Sequence, residues 1–186
     1  MKSKRFTHLR LDKQERLEIL ENALSWIVVF AMLVYGGAKY LQFEGAAEVN
    51  TPLSSLTPMQ LMWAFYGYSK PFAITLGVFE IIGGLLILIK KTRIIGCLFT
   101  SSILVNIILQ DIFFSVNEGA LRAAIIYQSL ILIILYLNRK KLIQGIQTIL
   151  LSSKSEPSKK RVFIKFAIAF LLFIVFRMME FYLTAF

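Results

Sequence analysis

One cysteine and one histidine are all that 186 residues contain, and that scarcity removes whole classes of chemistry. With Cys97 alone, no intramolecular disulfide, no Cys-x-x-Cys redox pair and no cysteine-rich metal site can form. His8 lies in a polar N-terminal stretch, so neither an intramembrane haem held by histidine nor a histidine-based zinc site can be built from this chain. Charge is also scarce, at 17% of residues against 57% hydrophobic. The sequence offers no nucleophile–base pair, metal cluster or phosphate-cradling loop, so neither a catalytic residue nor a metal ligand is assigned.

What the chain has in abundance is apolar length. A mean hydropathy of +0.68 belongs to a polytopic membrane protein, because a soluble domain of this size could not hide so many apolar side chains. The net charge of +10 gathers at the ends of the apolar runs. The positive-inside rule accounts for it there, and no nucleic-acid partner is needed. The expected partner is the lipid bilayer, and the expected location is the plasma (bacterial inner) membrane.

Residues 1–23 read as a basic cytoplasmic N-terminal arm, whose second part, with Leu17, Leu20 and Leu24 at helical spacing, leads into the first span. Spans follow at about 24–43, 71–89, 94–116, 120–137 and 162–186. Between the first two, Thr57-Pro58 is a helix start. It opens an interfacial helix over 58–67 whose Trp63 and Tyr66 suit headgroup depth, either as an anchor or as a cover over the bundle mouth. Residues 139–161 read as a basic cytoplasmic segment, amphipathic through Leu142, Ile143, Ile146, Ile149 and Leu150, and then a polar linker. The fold class is therefore all-α: a four-helix membrane unit over 24–138 plus a fifth transmembrane helix over 162–186. Lys and Arg concentrate in the arm, the 90–93 turn and 139–161, which places the N-terminus inside and the C-terminus outside.

Glu80 falls near the middle of the second span. An unpartnered carboxylate at that depth costs roughly 2.5–3.5 kcal/mol on insertion scales, so it should face protein. Counting along each span puts Asn106, Gln128 and Arg177 at a matching height, with Lys39, Asp111, Arg122 and Glu180 shallower; Gln110, in the second half of the third span, joins them as a candidate. The expectation is an interior polar network in the outer half of the bundle, open outwards, with almost nothing polar in the inner half. Glu80 would pair with Arg177 or Lys39, and Asp111 with Arg122; Arg177 and Glu180 could also pair with each other as i,i+3 neighbours. Such a network is either a site or a device that fixes helix register. Gly36, Gly37, Gly83 and Gly84 are the small residues expected where helices approach closely.

At Gly36–Lys39 (GGAK) and Glu80–Leu88 (E-x-x-G-G-x-L-x-L) the chain resembles the DoxX/DoxD-like membrane family, over roughly residues 24–138. Gly36, Lys39, Glu80, Gly83 and Gly84 match its pattern, while the fifth span and residues 139–161 lie outside it. The resemblance implies a small membrane subunit, in some members associated with thiosulfate:quinone oxidoreduction and in others with thiol or oxidative-stress complexes. Three functions follow as expectations: a non-catalytic membrane subunit or scaffold whose polar site holds a lipid or quinone-sized ligand and works with a protein partner; a quinone-linked oxidoreductase subunit; and a proton-coupled transporter. No cofactor is evident in the residues themselves, and a quinone is the one that the resemblance implies.

Overall fold

A computed structural model describes residues 11–150 and 158–184. They form seven helices, α1 (Lys13–Gln42), α2 (Pro58–Tyr68), α3 (Lys70–Leu88), α4 (Arg93–Phe114), α5 (Glu118–Leu137), α6 (Arg139–Leu150) and α7 (Lys159–Thr184), with one 3₁₀ turn at Leu53–Ser55. Five of them, α1, α3, α4, α5 and α7, are long and apolar enough to cross a membrane. The protein is a multi-pass membrane helix bundle. The first ten residues, with His8, and the linker portion over 151–157 lie outside the described residues.

The chain divides after Leu142 into two compact units. In the first, α1 packs on α3 and α5, and α4 closes the ring between α3 and α5. The spacing Ala73, Gly77, Glu80, Gly84, Ile87 gives α3 one buried face. A Cβ on Gly36 would sit 2.6 Å from the Gly77 carbonyl oxygen and 2.8 Å from Ile81, so α1 and α3 meet backbone to backbone. Gly84 similarly admits Met32, and Gly83 admits Thr100. Gly37, expected to pack, faces open space with nothing within 4 Å. It is one residue, hence about 100°, away from the seam that Gly36 occupies. Val28, Met32, Ile87, Cys97, Ile131 and Ile134 fill the centre, while Trp26, Phe30, Ile95 and Phe113 are exposed on the outside, as lipid contact requires.

The N-terminal arm and the first span turn out to be one helix. Asp12 caps α1 in a reciprocal box with Glu15, and 30 residues give roughly 45 Å, longer than a hydrocarbon core. The surplus carries acids past the α3–α4 turn. Glu21 accepts from Arg93 Nη1 at 2.7 Å, with Arg93 almost fully buried and its Nε bonded to the Ile87 carbonyl at 3.1 Å; Glu18 pairs with Lys90 at 3.1 Å. These contacts lie beyond the expected spans, at the end of the bundle away from α2. Arg93 is a buried tie between α1, α3 and α4 rather than only a basic stop.

The second unit holds most of α6 and all of α7. Ile143, Ile146, Ile149 and Leu150 of α6 are exposed. In α7, Arg177 Nη1 donates to Glu180 at 2.5 Å, the i,i+3 pairing that their spacing allows.

Candidate functional site

Glu80 is the centre. It is 1% exposed on the buried face of α3, and Lys39 of α1 reaches its Oε1 at 3.4 Å. The same ammonium donates to Gln42 Oε1 at 3.0 Å and lies 5.7 Å from the Phe43 ring centroid. Close approach of the two backbones at Gly36 and Gly77 makes this reach possible, since the Lys39 Cβ lies against Gly77. Of the two partners expected for Glu80, it takes Lys39, and Arg177 is paired with Glu180.

Asn106, Gln110 and Asp111 lie on α4 at i, i+4 and i+5, so one helical face carries all three. Gln110 Nε2 donates to Asn106 Oδ1 at 2.5 Å, and Gln110 Oε1 accepts from the Tyr66 hydroxyl at 2.7 Å. Burial pushes the Tyr66 phenol above the ordinary tyrosine range; its bond to Gln110 partly opposes this and the Glu80 charge adds to it. Tyr66 therefore stays protonated and able to donate throughout the physiological range. Asp111, 7% exposed, has no ion-pair partner within 4 Å among the described residues.

These groups surround a cavity of about 560 Å³ between α1, α3, α4 and α5, with α2 along one side. Its volume is that of a small-molecule site. Lys39, Glu80, Asn106, Gln110 and Asp111 all line it, as do Gln42, Trp63 and Tyr66. Phe43 stacks on Tyr66 at 4.9 Å between centroids, and Tyr66 on Phe72 at 6.0 Å, making one aromatic wall. Three buried polar atoms of lining residues have no hydrogen-bond partner among the described residues: Glu80 Oε2, Asp111 Oδ2 and Trp63 Nε1. A network serving only to fix register would close its own hydrogen bonds. This one leaves two carboxylate acceptors and an indole donor open.

Two further expected members, Arg122 and Gln128, make other contacts. Arg122 pairs with Glu118 at 2.7 Å, i,i+4 on an exposed face, so the expected Asp111–Arg122 pair is not formed. Gln128 donates to Ser101 Oγ at 2.7 Å between α5 and α4 and is absent from the cavity wall. Arg177 and Glu180 belong to α7. In their place stand Tyr66, Trp63 and Gln42. Their signal was present: Gln42 follows Lys39 by three residues, and Met62, Trp63 and Tyr66 share one face of α2.

α2 thus supplies one side of the cavity through Met62, Trp63 and Tyr66. Thr57 and Gln60 cap it reciprocally, Thr57 N–H donating to Gln60 Oε1 at 2.9 Å and Gln60 N–H to Thr57 Oγ1 at 3.3 Å. Thr57→Ala is expected to cost α2 about 1 kcal/mol. Exchange of its backbone amides, followed by hydrogen–deuterium exchange mass spectrometry, should rise roughly fivefold while α3 and α4 are unchanged. Unchanged exchange in α2 would mean that packing alone holds it.

Comparison with known proteins finds a relative 30% identical over 116 residues, 61% of this chain and 73% of the relative: the uncharacterized protein YwoB of Bacillus subtilis (strain 168). No protein-family model matches the chain, and no solved structure matches it.

Proposed function

The chain belongs to the same family as the uncharacterized protein YwoB, and on that footing we propose, from the site itself, that it is a non-catalytic membrane subunit that binds an amphipathic ligand of lipid or quinone size. The observation that carries this reading is the cavity of about 560 Å³ whose two buried carboxylates each keep an oxygen without a partner among the described residues. Polar groups within a bilayer are costly unless satisfied, and a ligand would satisfy these. A DoxX-like four-helix unit in the plasma membrane, N-terminus inside, accords with the site. Lys90, Lys91 and Arg93 and then Arg139–Lys141 occupy the end of the bundle remote from α2. By the positive-inside rule the cavity then opens towards the outside.

A second reading, a quinone-linked oxidoreductase subunit, is favoured by the aromatic wall and by the open indole N–H of Trp63 within it, a donor suited to a quinone carbonyl. Native mass spectrometry of gently solubilised protein separates these possibilities. Wild type should carry one small ligand that Glu80→Gln has lost, and a quinone mass would select the second reading. A wild-type spectrum without ligand would refute both.

A further inference from the structure

The charge of the lining goes further than its size, and we infer that the ligand is a lipophilic cation. This rests on the reading of the cavity as a ligand site and argues against a neutral quinone as its occupant. The wall holds one ammonium, Lys39, against two carboxylates, Glu80 and Asp111. Lys39 is already committed to Glu80 Oε1 and Gln42 Oε1, and both carboxylates are more than nine-tenths buried, with Glu80 Oε2 and Asp111 Oδ2 unpartnered among the described residues. A net negative charge in a low-dielectric site is unfavourable, and a proton or an entering positive charge relieves it. A neutral carbonyl compound would bring the carboxylates neither a donor nor a charge.

The rest of the wall fits the same occupant. Tyr66 is stacked between Phe43 and Phe72, and Trp63 meets Phe43 edge-on at 5.4 Å, so aromatic surface dominates the α2 side. Aromatic faces attract organic cations through the ring quadrupole, most strongly where water is excluded. Aliphatic and aromatic residues make up most of the remaining lining, which suits a cation with an apolar body and disfavours a small hydrated ion. An anion would meet two carboxylates across a cavity of ligand dimensions.

The test uses two ions of nearly equal shape and opposite charge, tetraphenylphosphonium and tetraphenylborate. The chain has two tryptophans, and Trp26 is exposed on α1, so Trp26→Phe leaves Trp63 as the sole reporter in the wall. In a non-ionic detergent, the phosphonium should change Trp63 emission saturably at one site per chain, and the borate should not. Glu80→Gln and Asp111→Asn should each weaken phosphonium binding at least tenfold. If Glu80→Gln does not fold, the isosteric Asp111→Asn carries the comparison. Equal binding of both ions, preference for the borate, or unchanged affinity in a folded variant would overturn the cation assignment. Binding of neither ion, with a neutral amphiphile recovered from wild type and lost in Glu80→Gln, would overturn it and leave the ligand site standing. Binding of neither ion with no recoverable ligand would remove both.

Discussion

Lys39→Leu is expected to lower the unfolding free energy by about 3–5 kcal/mol, measured by titrating sodium dodecyl sulfate into mixed micelles, because it strands the Glu80 carboxylate without the ion-pair partner it has among the described residues. Both side chains are shielded, Glu80 at 2% and Lys39 at 12% exposure, so solvent cannot make good the loss. Glu80→Leu should cost markedly less, about 1–2 kcal/mol at most. The ammonium left behind keeps its bond to Gln42 at 3.0 Å, lies within Coulombic range of Asp111, and sits on a four-carbon stem that can move it towards water. This asymmetry separates a stranded charge from a simple lost contact, which would cost the same from either side. Equal losses in the two variants would mean that Glu80 and Lys39 do not depend on each other.

Gly77→Leu and Gly36→Leu should each destabilise the bundle by about 3 kcal/mol, the upper end for overpacked cores, because a rigid backbone stands where the side chain must go. At Gly36 an added Cβ would stand 2.6 Å from the Gly77 carbonyl oxygen, and at Gly77 it would stand 2.9 Å from the Lys39 Cβ. Relief requires α1 to move off α3. That movement also draws Lys39 from Glu80, so bound ligand should be lost along with stability. Gly37→Leu is the internal control. Its Cβ meets nothing within 4 Å, so the same substitution one residue on should fall within about 0.5 kcal/mol of wild type. A large loss at Gly37, or none at Gly36, in the same titration would contradict the seam as described.

Physical reasons decide which of these features could be read from the residues. The spans were legible because each is an apolar run of bilayer length ended by Lys, Arg or a turn, and α3, α4 and α5 start and stop within two residues of the expected limits. Glu80 stood out because a carboxylate at that depth must have a partner, and the α4 trio because counting along its span puts it in the outer half; that the three share one face follows from their i, i+4, i+5 spacing. Tyr66 and Trp63 were read as interfacial aromatics, since the same pattern suits a headgroup layer and a cavity wall. Nothing in the basic 90–93 turn marks Arg93 as buried, because its burial depends on α1 continuing unbroken past the membrane to bring Glu21 alongside. Matching depth suggested Arg122 as a network member, but depth does not fix azimuth: Glu118 lies one turn away, and the local pair forms. Arg177 makes its own local pair with Glu180.

Thermal unfolding of the Lys39→Leu/Glu80→Leu double variant, alongside wild type stripped of ligand, tests most directly whether this polar cluster is a binding site rather than a register device. Replacing a whole buried pair with apolar residues removes both desolvation costs at once. For a binding site, the double variant should unfold at or above the temperature of stripped wild type, with its helices intact. A double variant that unfolds well below stripped wild type, or as low as Lys39→Leu alone, would show that the pair holds the bundle together and would contradict the account.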